Sequence, residues 1–201
     1  DQPRSRGLGD VYKRQIMNAQ AKTTALRTVD IAYIGLFVAV MAICSWISIP
    51  ATVPFTLQTF AVFMAVGLLG GKRGTIAVLT YVLLGAIGVP VFAGFSGGIG
   101  ALLGNSGGYI VGFIFSALVM WAITAKFGEK TWVLGLSMVL GLIVCYAFGT
   151  MWFMIAYTAN TGAVGIVAVL GWCVIPFIIP DLCKIGIALI LTKRLKRHVK
   201  L

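Results

Sequence analysis

The chain has 201 residues, of which 60% are hydrophobic and only 10% charged, with a net charge of +11. With a mean hydropathy of +1.01, it falls outside the composition of soluble domains and among integral membrane proteins. The basic residues sit in short clusters between apolar runs, as in cytoplasmic loops, which sets aside nucleic acid as a partner and leaves membrane lipid as the surroundings.

A helix needs about 20 apolar residues to cross a ~30 Å hydrocarbon core, which leaves room for about six crossings and none for a separate soluble domain. Residues Asp1–Ile16 are polar and aperiodic, lack the apolar core of a signal peptide, and in DVYKRQ look like an adapter sequence translated in frame. Residues 1–16 are therefore expected to be a non-native or disordered leader, and 17–201 a single membrane domain. After Met17, a polar segment with Lys22 and Arg27 leads to a first span over about Ile31–Ile49, ended by Pro50. Within it Gly35 and Ala39 form a small-xxx-small pair, suited to close approach of a partner helix or to an internal contact.

Beyond the uncharged turn IPATVP, a second span covers about Phe55–Leu69 and stops at GGKRG, which holds Lys72 and Arg73. Gln58 and Thr59 lie one turn inside it, where Gln58 can bond a ligand or cap a neighbouring helix. A third span, about Thr75–Val91, is followed by FAGFSGGIGALLGNSGGY, a connection dense in glycine and free of charge. Non-helical backbone at membrane depth must be covered by protein or line a cavity, so this loop is expected in the mouth of the bundle. The fourth span, about Gly107–Ala125, opens with Gly104, Gly108 and Gly112 at four-residue spacing, a close-packing face. The fifth, about Trp132–Tyr157, carries Tyr146, Phe148, Trp152, Phe153 and Tyr157 toward its far end. After TANTG, the apolar run Ala163–Val174 predicts a short helix, and a final span is expected over about Pro180–Thr192, with Pro180 at its start.

That last span contains PFIIPDLCK, with Asp181 and Lys184 three positions apart on one helical face. Ionised side chains cost about 2.5 kcal/mol or more each in hydrocarbon, so such a pair marks a ligand pocket or an ion pair that holds the helix. The amino-terminal segment, GGKRG, AKFGEK and the tail carry the basic residues, whereas the alternate loops carry no charge. Both termini are therefore expected in the cytoplasm, the span number is even, and Asp181 and Lys184 lie near the outer surface with the glycine-dense loop.

No nucleophile with its base and no G-x-x-x-x-G-K-[ST] loop is present. Cys44, Cys145, Cys173 and Cys183 lie in apolar stretches without metal-binding spacing, and the one histidine, His198, sits in the basic tail. The expectation is a substrate-binding membrane subunit that is not an enzyme, has no catalytic residue, metal or cofactor, and draws its energy from another protein.

VPFTLQTFAV from Val53, LLGAIGVPVFAGFSGG from Leu83, GNSGGYIVGF from Gly104 and PFIIPDLCK from Pro176 together resemble the BioY family, the biotin-specific S components of energy-coupling factor transporters. The similarity runs over essentially all of Ala25 to Lys196, with the motifs in order. It implies an all-α membrane protein of six helices with an outward-facing biotin pocket, a glycine-rich outer loop between helices 3 and 4, and a short helix before helix 6. It also implies a bacterial cytoplasmic membrane, a transmembrane T subunit, and two cytoplasmic ATPase subunits that hydrolyse the ATP. An S component for thiamine or riboflavin, or a solitary biotin carrier, are the competing readings.

By position, the family's acid and lysine fall on Asp181 and Lys184, and its glycine-tyrosine segment on Gly107, Gly108 and Tyr109. The loop reads GNSGGY where GPTGGY is commoner, so Asn105 and Ser106 add hydrogen-bonding groups. Substrate-binding candidates are thus Asp181, Lys184, Tyr109, Asn105, Gly108, Gln58 and Phe92, and Gly35 with Ala39 is the partner-binding candidate. Asp181 is expected to accept ureido N–H groups, while Lys184 pairs with the ligand carboxylate or orients Asp181.

Overall fold

The computed structural model describes residues 26–197; the expected leader, 1–16, and His198 lie outside the described residues. The elements are α1 (Thr28–Trp46), β1 (Ser48–Ile49), β2 (Phe55–Thr56), α2 (Gln58–Leu69), α3 (Gly71–Ala86), a 3-10 turn (Ala93–Phe95), α4 (Ile99–Leu103), α5 (Gly107–Phe127), α6 (Thr131–Asn160), α7 (Ile166–Cys173) and α8 (Ile175–Leu195). Four stretches are long and apolar enough to cross a membrane: Thr28–Trp46, Gly107–Phe127, Thr131–Asn160 and Ile166–Leu195. Gln58–Leu69 is a shorter apolar helix.

The chain divides into a unit ending at Ala32 and a second, Tyr33–Leu201. In the first, the Arg27 backbone N–H donates to Asp30 Oδ2 at 3.0 Å and Arg27 Nη2 lies 3.4 Å from Asp30 Oδ1, so one carboxylate secures the first turn of α1.

Within the second unit α2 is the enclosed element, with ten of its twelve residues buried. It is apolar all round because protein covers it on every side, α3, α5 and α8 among its neighbours. By contrast α8 buries one face, Asp181, Lys184, Ile185, Ala188 and Thr192, and turns Ile179, Leu182, Ile187 and Ile190 outward. An apolar exterior of this kind faces lipid, where helices are held by close packing rather than by the hydrophobic effect.

The closest such packing joins α5 to α6. A Cβ added at Gly112 would lie 3.1 Å from Cys145 Sγ, and one at Gly108 would lie 2.2 Å from Trp152 Cβ. The four-residue glycine spacing therefore gives α6 its approach to α5. Gly104 precedes α5, and its carbonyl accepts Trp152 Nε1–H at 3.2 Å.

Element ends depart from expectation where backbone polar groups found other partners. The first span stops at Trp46 because Ser48–Ile49 pairs antiparallel with Phe55–Thr56, so Pro50 sits in a hairpin tip and not at a helix end. The last span begins at Ile175, not Pro180. Pro176 occupies the first turn, where no N–H bond is required, and Pro180 lies inside the helix at the loss of one bond.

One end of this unit gathers its charges. Lys196 donates to Glu129 across the α8 terminus and the α5–α6 connection, and a Cβ on Gly70, between α2 and α3, would lie 3.5 Å from Glu129 Oε1. At the other end Trp46 Nε1–H donates to the Pro90 carbonyl at 3.0 Å, and Phe95, in the left-handed region at φ 55, stacks on the Trp46 ring at 4.9 Å. These contacts fasten the glycine-dense connection to the end of α1.

Deeper in the α5–α6 seam, a Cβ on Gly141 would come within 2.6 Å of Ser116 Oγ. Gly141→Leu should therefore force the helices apart and cost about 1–3 kcal/mol, the usual range for overpacking. Thermal unfolding in detergent should show a lowered midpoint, while the same change at Gly171, which has nothing within 4 Å, should leave it in place.

Candidate functional site

Asp181 and Lys184 are 2% and 6% exposed, deep enough that each charge needs compensation from protein rather than water. Their i, i+3 spacing on α8 brings Lys184 Nζ to 2.7 Å from Asp181 Oδ1. Two further acceptors meet the ammonium, the Thr56 carbonyl at 2.6 Å and Thr59 Oγ1 at 3.2 Å. The three ammonium protons thus face three oxygens, and the Phe55 ring centroid lies 4.2 Å away as a cation–π contact.

The carboxylate is held from two further sides. Thr59 Oγ1–H donates to Asp181 Oδ1 at 3.1 Å, and Tyr146 O–H on α6 donates to Asp181 Oδ2 at 2.5 Å. Oδ1 carries two donors and Oδ2 one, so the unused lone-pair capacity of the carboxylate is on Oδ2.

A cavity of about 70 Å³ opens beside this pair, larger than the ~10–15 Å³ that holds a single water. Its polar wall is Asp181, Lys184, Thr59, Gln58 and Tyr146. Tyr109, Ile110, Phe113 and Phe177 supply its ring and aliphatic surface, and Ala93 and Ser106 bring in the glycine-dense connection. The contributions come from β2, α2, α5, α6, α7 and α8, so no short segment of the chain holds the site. A polar head with an apolar body is the ligand shape such a wall receives.

Four sequence candidates therefore meet at one cavity: Asp181, Lys184, Gln58 and Tyr109. Tyr109 bonds Thr150 Oγ1 at 3.2 Å, and its ring lies where a Cβ on Gly149 would be, 2.2 Å from its Cδ1. Three other candidates are placed elsewhere. Asn105 is half-buried in the turn before α5, while its neighbour Ser106 reaches the lining. Gly108 admits Trp152, and Phe92, 1% exposed, packs edge-on against Tyr81 at 5.6 Å and 75°. Gly35 and Ala39 lie exposed on α1, with nothing within 4 Å of a Cβ at Gly35.

Sequence reading did not single out Thr56, Cys145, Cys173 or Phe177 for this wall. Thr56 acts through its carbonyl, which no side-chain pattern signals, and the cysteines read as small apolar fillers. Tyr146 was one aromatic among several on its span; that its hydroxyl falls beside Asp181 depends on the helix packing. Among the described residues, no three His, Cys, Asp or Glu come together as metal ligands.

An all-helical bundle with an apolar exterior and a charged, half-enclosed cavity between its helices defines a membrane protein with a solute-type site. The chain belongs to the BioY family, whose profile matches residues 17–201. It is 43% identical over 164 residues to the biotin transporter BioY of Thermotoga maritima, covering 81% of this chain and 93% of the relative. The probable biotin transporter BioY of Pyrococcus horikoshii is 38% identical over 172 residues, 85% and 98% of the two chains. The fold superposes with a TM-score of 0.72 and 26% identity on the crystal structure of the S-component for biotin from an ECF-type ABC transporter, over 86% of this chain and 95% of that one.

Removing one partner of a buried ion pair leaves a bare charge, at a cost of about 3–5 kcal/mol, whereas removing both charges is far milder. Lys184→Met should lower the thermal midpoint sharply, and Asp181→Asn combined with Lys184→Met should recover most of the loss. Equal midpoints for the single and double variants would contradict the pairing.

Proposed function

We propose that this protein captures biotin from outside the cell and passes it inward as the S component of an ATP-driven energy-coupling factor transporter. The observation that carries the reading is the state of the two charges. Asp181 Oδ2 keeps acceptor capacity on a residue that lines the cavity, and all three Lys184 protons are committed to Asp181, Thr56 and Thr59. Asp181 is then an acceptor for the ureido N–H edge, and Lys184 orients it. A ligand carboxylate on Lys184 would have to displace Thr56 or Thr59 first. The names of the relatives, biotin transporters and a biotin S component, agree with a cyclic urea as ligand.

In this reading α1, α2, α3, α5, α6 and α8 make six crossings, with α4 and α7 lying in the outer connections. The end with Lys72, Arg73, Lys126, Lys130 and Lys196 faces the cytoplasm, and so do both termini, in a bacterial cytoplasmic membrane. The cavity opens to the opposite side. The ATP is hydrolysed by two ATPase subunits, coupled through a transmembrane T subunit that docks on the exposed Gly35 and Ala39 face of α1, where small residues admit a close helix.

Equilibrium titration of the purified protein with labelled biotin, thiamine and riboflavin tests the ligand. Saturable binding of biotin alone is expected, and Asp181→Asn should weaken it about 10–100-fold, the range for a hydrogen bond to a charged group. Tight binding of another vitamin, or normal biotin binding by both Asp181→Asn and Lys184→Ala, would overturn the assignment. For the partner face, Ala39→Trp should abolish uptake in cells that supply the energy-coupling module and leave biotin affinity unchanged. Uptake by the unaltered chain without any such module would favour a solitary carrier.

A further inference from the structure

Behind the cavity, Gln58 is held by a chain of polar groups that the pairing of Asp181 with Lys184 leaves unused. Gln58 Nε2–H donates to the Tyr81 hydroxyl at 2.7 Å, and the Tyr81 O–H donates to the Val91 carbonyl at 2.8 Å. Ser45 Oγ, fully buried on α1, lies 2.6 Å from the same carbonyl. Tyr81 itself is fully buried in α3, with Phe92 edge-on to its ring.

A phenol has one proton, and a carbonyl only accepts. With that proton on Val91, the phenol oxygen faces Gln58 as an acceptor, and only the NH2 end of the amide can meet it. Among the described residues no hydrogen bond reaches the amide oxygen Oε1, and the side chain that carries it lines the cavity. We propose that Tyr81 is a positioning residue that fixes the Gln58 amide with its oxygen toward the ligand, making Gln58 a second N–H acceptor beside Asp181.

This role rests on reading the cavity as the ligand site, and it sharpens the ligand's chemistry. A cyclic urea carries two N–H donors, and the cavity meets them with acceptors from two different helices, Asp181 on α8 and Gln58 on α2. Without the Tyr81 hydroxyl the amide is free to turn over and present its NH2, placing donor against donor. The affinity lost is then affinity for the urea edge in particular, since an unmatched buried donor costs more than a missing bond.

The test is a titration of the purified full-length chain with biotin and with biotin methylated at one or the other ureido nitrogen. It compares the wild type, Tyr81→Phe, Gln58→Leu and the double variant. Each single change should weaken biotin binding about tenfold, and the double variant should be no weaker than Gln58→Leu, because Tyr81 acts only through Gln58. Tyr81→Phe should also narrow the wild-type preference for biotin over the analogue methylated on the Gln58 side. Should Tyr81→Phe lower the thermal midpoint, the methylated pair still reads the amide, because general loosening weakens both ligands alike. Additive losses in the double variant, or unchanged discrimination in Tyr81→Phe, would overturn the positioning role. A wild type with no saturable biotin binding would instead overturn the reading of the cavity itself, and this role with it.

Discussion

The ion pair between Asp181 and Lys184 sets terms that much of the structure meets. An isolated ammonium or carboxylate between helices in a membrane is expensive, and pairing them offsets the cost only when the remaining protons and lone pairs are also matched. Here the matching comes from Thr56, Thr59 and Tyr146, drawn from the hairpin, α2 and α6. The pair thereby ties the hairpin, α2 and α6 to α8 at one point. The one place where matching is incomplete, Asp181 Oδ2, lies on a residue that lines the cavity. On the proposed function a structural ion pair and a binding group are the same atoms, since the network that makes the carboxylate tolerable also aims it.

Around that pair the molecule separates two kinds of surface. Its exterior is apolar enough for lipid, so the interior is organised by close approach: Gly112 under Cys145, Gly108 under Trp152, Gly149 under the Tyr109 ring. These glycines narrow the α5–α6 seam and set the depth at which Tyr109 enters the cavity. Substitutions there would change the shape of the cavity without altering a residue of its polar wall. The Gln58, Tyr81 and Val91 chain gives the opposite wall a comparable rigidity, and ties it to the glycine-dense connection through the Val91 carbonyl.

Much of this was legible in the sequence because membrane solvation leaves strong marks. Apolar runs separated by basic clusters placed the helices to within a few residues at most ends, and two charges in an apolar segment pointed to residues that line the cavity. The depth of Gln58 in its span and the family's glycine-tyrosine segment pointed to Gln58 and Tyr109, which the structure brings to the same cavity. What sequence could not carry was long-range geometry. Pro180 is expected at a helix start, yet the helix begins at Ile175 and continues past Pro176 and Pro180, since the first turn needs no proline N–H and one missing bond is tolerated near a helix start. Two-residue strands carry too little pattern to recognise, so the Ser48–Ile49 and Phe55–Thr56 pairing was hidden, and with it the Thr56 carbonyl that meets Lys184. Phe92 lay in a motif but stands behind the cavity against Tyr81, a distinction that only packing makes.

The central claim is that the carboxylate of Asp181 receives the polar head of biotin inside this cavity. A structure of the protein determined with biotin bound tests it most directly. The ureido ring should then lie within hydrogen-bond reach of Asp181, with Lys184 still on the carboxylate. Biotin seated outside the cavity, or its carboxylate paired to Lys184 with the ureido ring away from Asp181, would contradict it.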